Sequence, residues 1–151
     1  MATSPVILFF IICISSMYCL ADDYVIIQSK TSGMVLDGNH YYVRARLADG
    51  SIGQKWNLTS TKIGRFIITN ARNGHVLDVQ HGCKLGNTSN VIVYKNHFGR
   101  NQEFYINSDG TIVSSCDNNE IIEMKDGKVE VCGKEEPCSS GDVFFKILET
   151  K

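Results

Sequence analysis

The feature that most constrains this chain is a spaced recurrence. A Leu-Asp-like pair appears as Leu36-Asp37, returns as Leu77-Asp78, and returns again as Ile122-Glu123. Each is followed by a bulky aromatic, at Trp56, Phe104 and Phe145. The aliphatic markers lie 41 and 45 positions apart, and the aromatic ones 48 and 41. Three segments align around them. Ile27-Gln28-Ser29, Gly33-Met34-Val35-Leu36-Asp37 and Gln54-Lys55-Trp56 form the first; Ile68-Thr69-Asn70, Gly74-His75-Val76-Leu77-Asp78 and Gln102-Glu103-Phe104 the second. Val113-Ser114-Ser115, Asn119-Glu120-Ile121-Ile122-Glu123 and Val143-Phe144-Phe145 form the third. Between these markers short β-prone runs alternate with Gly, Asn, Asp and Ser, and no window carries a sustained helical apolar stripe. Such punctuation describes an all-β sandwich or barrel.

A period near this length also fits propeller blades, but three blades are too few to close and the WD-type signature is absent. Three four-stranded units closing on one another suit the pattern better. The expected fold is therefore an all-β, pseudo-threefold β-trefoil, with repeats at about 24–64, 65–109 and 110–149. In that arrangement Trp56, Phe104 and Phe145 fill a shared interior. Each buried aromatic contributes roughly 2–3 kcal/mol.

The apolar run Val6–Ile14 is too short to span a membrane, which needs roughly 20 residues. Polar Ser15-Ser16 and then Cys19-Leu20-Ala21 follow it, with small residues where a signal peptidase cuts. Residues 1–21 read as a cleaved signal peptide with maturation at Asp22, although no Lys or Arg precedes the run. An uncleaved membrane anchor is the rival reading. The remaining domain, 22–151, carries every charged side chain and keeps the net charge of −1. That balance supplies no basic footprint for nucleic acid and no polybasic patch for membranes. The expected location is secreted and extracellular, without direct membrane insertion.

Processing leaves Cys83, Cys116, Cys132 and Cys138, candidates for two disulfides with three pairings open. A local Cys132–Cys138 bridge fits the short segment between them, and pairing Cys116 with either would tie up one repeat. Zinc is disfavoured because no CxxC pair occurs. His40, His75, His81 and His97 match no metal-ligand spacing and read as surface and loop residues, so no metal and no cofactor is expected. Asn87 and Asn57 begin sequons; Asn87 sits in a polar turn, whereas Asn57 stands beside Trp56 in a strand where access is restricted.

The Gln-x-Trp-like triplet Gln54-Lys55-Trp56, Gln102-Glu103-Phe104 and the decayed Val143-Phe144-Phe145, each behind its Leu-Asp-like pair, resembles the ricin B-type lectin family over residues 24–149. The resemblance implies a β-trefoil that binds galactose or N-acetylgalactosamine-type glycans, with up to one shallow site per repeat. Carried over residue by residue, it places a complete site on the second repeat. Asp78 is the acid, Tyr94 the aromatic, His97 the polar loop residue and Asn101 the amide, with Gln102 beside it.

The chemistry suits those residue types. A carboxylate accepts from sugar hydroxyls in charge-assisted bonds. An aromatic ring covers the apolar face of galactose, an amide both donates and accepts, and an imidazole does either. One shallow site of this kind binds at about millimolar, roughly −4 kcal/mol. Tyr94 has a bland alternative as a core-facing strand residue, since the alternation along Val91–Tyr94 does not say which face is buried. Gln54 and Gln102 also read as structural, their amides bonding backbone.

The other repeats depart from the pattern. In the first, Arg46 and Gly53 stand where Tyr94 and Asn101 would be, so that site is expected to be dead or altered. In the third, Glu123 replaces the acid and Cys132 the aromatic, and Gly141 or Asp142 stands near the amide position. The expected protein is a lectin with one site and glycans or glycoproteins as partners, its valency restored by homo-oligomerisation. The competing expectation is a trefoil used for protein binding, as in a protease inhibitor or cytokine-like ligand. No nucleophile–base pair, paired carboxylates or cofactor loop points to an enzyme.

Overall fold

Strands form where the β-branched and aromatic runs predict them. The computed structural model describes residues 23–61, 63–83, 89–116, 120–133, 138 and 142–150. The leader 1–21, the Asn87 sequon and Gly141 lie outside the described residues. Twelve strands follow in chain order: β1 Val25–Ser29, β2 Val35–Asp37, β3 Arg44–Arg46, β4 Trp56–Ser60, β5 Phe66–Asn70 and β6 Val76–Val79, then β7 Ser89–Tyr94, β8 Phe104–Ile106, β9 Ile112–Ser114, β10 Ile121–Lys125, β11 Lys128–Cys132 and β12 Phe145–Glu149. Every pairing among them is antiparallel.

The pairing path runs β10–β9–β8–β5–β4–β1–β2–β3–β11 and returns from β11 to β10, so the sheet closes on itself. Closure removes the unpaired edges that an open sheet would expose. β12 lies along β1 over five residue pairs, from Val25↔Glu149 to Ser29↔Phe145, joining the two ends of the described chain.

Local chemistry repeats along the chain. The links β1–β2, β5–β6 and β9–β10 are closed by the same backbone bond, from Ser29 N to Met34 O, Asn70 N to His75 O and Ser114 N to Glu120 O, at 2.8–2.9 Å. The first two of these turns need a residue of positive φ, supplied by Gly33 (+74°) and Gly74 (+69°). Trp56, Phe104 and Phe145 open β4, β8 and β12 and are buried together with Leu36, Leu77 and Ile122 in one cluster. The polar end of Trp56 is satisfied there, its Nε1 donating to Leu36 O at 3.1 Å.

Two disulfides staple this frame. Cys132–Cys138 is the local bridge the spacing suggested. Cys83–Cys116 instead joins the loop after β6 to the end of β9, so Cys116 pairs with neither cysteine of its own segment. Asn57 is half-buried in β4 opposite Thr69, its side-chain oxygen accepting from exposed Thr59 Oγ1 at 3.2 Å.

Candidate functional site

Cross-strand pairing is alike in three places. Val76 pairs with Tyr94 and Asp78 with Ile92 across β6–β7; Val35 pairs with Arg46 and Asp37 with Arg44 across β2–β3; Ile121 pairs with Cys132 and Glu123 with Glu130 across β10–β11. Tyr94, Arg46 and Cys132 therefore occupy one structural position. Along β7, Val91, Ile92 and Val93 are all buried while Tyr94 is 47% exposed. The alternation misleads because Ile92 is covered too. The segment before β3 lies against β7, with Tyr42 bridged to Ile92, Val93 N donating to Tyr41 O at 2.9 Å and Val43 N donating to Val91 O at 3.0 Å. Tyr94 stands past that cover, at the rim of a cleft rather than in the core.

Asp78 is the centre of the site. Its Oδ1 accepts from Asn101 Nδ2 at 3.0 Å, and its Oδ2 accepts from Gln102 Nε2 at 2.7 Å. His97 Nε2 stands 3.3 Å from the same Oδ2, and the imidazole sits edge-on to Tyr94 with ring centroids 6.4 Å apart. A buried carboxylate needs such donors to remain charged in a low-dielectric setting. The turn Arg100–Gln102, a single 3-10 turn, brings two consecutive amides under one carboxylate.

The two amides have different jobs. Asn101 spends its N–H groups on Asp78 Oδ1 and on Val79 O at 3.2 Å, which leaves its carbonyl oxygen as an acceptor. The reverse orientation would set an acceptor against the carboxylate. Gln102 is 0% exposed. It donates to Lys95 O at 3.0 Å and accepts from His97 N at 2.9 Å, tying the 95–97 loop to Asp78. That is the structural role the amide was expected to play, acting on the ligand site through Asp78.

Beside Asp78, Tyr94, His97 and Asn101 lies a cleft of about 390 Å³, also lined by Tyr41, Gln80, His81, Gly82 and Ile92. This volume falls in the range of small-molecule sites. Tyr41 is the important addition. It comes from the segment between β2 and β3, about fifty positions before Tyr94, and sequence reasoning missed it because only the pairing to β7 brings it there. Phe98 next to His97 is 84% exposed and adopts a positive φ of 60°, its N–H donating to Asn96 Oδ1 at 2.9 Å. A bulky residue rarely takes that conformation.

The first repeat is rebuilt rather than emptied. Gly53 does lack the amide, but Asn39 Nδ2 donates to Asp37 Oδ2 at 3.1 Å while its backbone N–H donates to Oδ1 at 2.8 Å. A Cβ on Gly53 would collide with the Asn39 amide, which thus occupies the space left by the missing side chain. Gln54 repeats the bracing of Gln102, donating to Asp37 Oδ2 at 3.1 Å and Leu47 O at 3.0 Å and accepting from Asp49 N at 2.9 Å. By that equivalence Asp49 stands where His97 does. The backbone N–H of Ser51 holds the Asp49 carboxyl below the usual carboxylate range. A cleft of about 590 Å³ opens beside Asp37, Arg46 and Asp49. Here a residue two positions after the acid supplies an amide to it. In the third repeat Glu123 is buried, and Cys132 is taken by its disulfide.

Residues 52–130 match the family model described as ricin-type β-trefoil lectin domain-like. No curated protein matches. Among solved structures, the designed threefold symmetric protein ThreeFoil superposes with a TM-score of 0.71 at 19% identity, over 84% of this chain and 99% of that one. The Rhizoctonia solani agglutinin gives 0.69 at 16% identity, over 87% and 97%. The exo-β-1,3-galactanase 1,3Gal43A of Clostridium thermocellum gives 0.68 at 24% identity, over 86% of this chain but only 30% of the galactanase.

Proposed function

We propose, since this chain belongs to the ricin-type β-trefoil lectin domain-like family, that it is a secreted carbohydrate-binding lectin for galactose-type glycans. Its fold is read as three four-stranded repeats, β1–β4, β5–β8 and β9–β12, with the primary sugar site on the second. The observation that carries this reading is the Asp78 carboxylate held by Asn101 and Gln102 at the floor of a cleft whose rim is the exposed Tyr94 ring. Asp78 accepts from two adjacent sugar hydroxyls, one at each oxygen, the hydroxyl at Oδ2 taking the place of His97. Asn101 Oδ1 accepts from a hydroxyl, and Tyr94 covers the apolar C–H face. His97 closes the loop side of the cleft.

The two disulfides support an oxidising compartment, in keeping with the signal peptide reading. The names of two structural neighbours, an agglutinin and a galactanase, point the same way on ligand class. One weak site gains avidity only if copies are joined, so a homo-oligomer completes the reading. The test is a glycan array with wild type and Asp78→Ala. Galactosides captured by wild type and lost in the variant are expected; wild type capturing no glycan refutes the proposal.

A further inference from the structure

The cleft beside Asp78 does not end at Tyr94. Next to it lies a cleft of about 370 Å³, and Tyr41 and Tyr94 line both. This middle cleft shares Asn39 and His40 with the cleft beside Asp37. The three hollows thus lie in a row from Asp78 to Asp37, each sharing wall residues with its neighbour. Each end holds a buried carboxylate with a side-chain amide on it. The middle carries two exposed tyrosines, Tyr41 at 46% and Tyr94 at 47%. The four histidines that matched no metal spacing are distributed along it: His81 and His97 beside Asp78, His75 in the middle, and His40 from the middle to Asp37.

From this continuity we infer that the ligand is a linear oligosaccharide lying along the groove, one sugar unit per cleft, rather than a single terminal sugar. The inference rests on the lectin reading of the Asp78 cleft and extends it. Carboxylates and amides at the ends, with imidazoles between, match hydroxyls that both donate and accept, and the tyrosines match the apolar faces of pyranose rings. The platform is pre-organised: Tyr41 is carried by backbone bonds to β7, so little ordering entropy is lost when a ring stacks on it. Arg46 at the far end replaces the aromatic with a planar cation that also stacks and also donates, so the Asp37 end takes a more polar unit than the Asp78 end.

The experiment is isothermal titration of galactose and of linear galacto-oligosaccharides of increasing length. Affinity is expected to rise on the order of tenfold from the monosaccharide to the longest chain. His40→Ala, which lies outside the Asp78 cleft, keeps the wild-type affinity for galactose and loses most of that gain. Tyr41→Ala loses the gain and also weakens galactose, since Tyr41 borders both hollows. Retained galactose binding by His40→Ala shows that the variant is folded. Galactose binding with no dependence on chain length overturns the groove alone. Binding of neither galactose nor the oligosaccharides overturns the lectin reading with it, and an intact gain in both variants overturns the assigned path.

Discussion

Replacing Gln102 by alanine tests how the site is held rather than what it touches. The side chain is fully buried and makes three hydrogen bonds: to Asp78 Oδ2 at 2.7 Å, to Lys95 O at 3.0 Å and from His97 N at 2.9 Å. The first involves a charged acceptor and contributes about 1.5–3 kcal/mol, the other two about 1 kcal/mol each. Truncation also strands a buried carboxylate lone pair and leaves a small cavity, so the loss of stability is about 4 kcal/mol. For a chain of this size, with a urea slope of roughly 1.5 kcal/mol/M, the unfolding midpoint falls by roughly 2–3 M. Gln54→Ala removes the matching three bonds in the first repeat and is expected to destabilise by a similar amount. The two variants separate on ligand binding. Gln102→Ala releases the 95–97 loop and loses galactose, whereas Gln54→Ala leaves the Asp78 cleft intact. Urea curves for both, with galactose titrations below the transition, make the comparison. A midpoint within 0.5 M of wild type for Gln102→Ala, or undiminished galactose affinity, refutes the bracing role; the threshold corresponds to about 0.75 kcal/mol.

Tyr94→Ala is expected to weaken galactose binding about tenfold while shifting stability by less than about 1 kcal/mol, because the ring is half exposed; a collapse of the thermal transition instead would make Tyr94 a core residue. Gly38→Ala is expected to cost about 1–3 kcal/mol by urea unfolding. The reason is space: a Cβ there would lie 2.6 Å from Asn70 Nδ2 and 2.8 Å from Trp56 Cη2, both fixed by their own hydrogen bonds. Phe98→Asn is expected to raise stability by about 0.5–1 kcal/mol, since asparagine tolerates the positive φ that phenylalanine holds at 60°. An unchanged or lowered midpoint would mean that the exposed ring makes a compensating contact.

Much of the frame was legible in the residues. Leu36, Leu77 and Ile122 and the aromatics Trp56, Phe104 and Phe145 carry their periodicity openly, because a shared interior demands large apolar groups at matched positions. The acid Asp78, the ring Tyr94 and the amide Asn101 were picked out by the family resemblance, and the fold brings all three to the lining of one cleft. Tyr94 was ambiguous only in which way it faced, since alternation assigns faces but not what covers them.

What stayed hidden was whatever a distant segment supplies. Asn39 standing in for the side chain that Gly53 lacks, Tyr41 lying against β7, and Cys83 reaching Cys116 all join positions that no local pattern connects. Sequence alone determined the all-β fold and its matched apolar markers, because burial and period are properties of neighbours along the chain. Only the tertiary structure decided that Gln102 is a brace and that the first repeat keeps an amide. Those are properties of neighbours in space, which closure of the sheet creates.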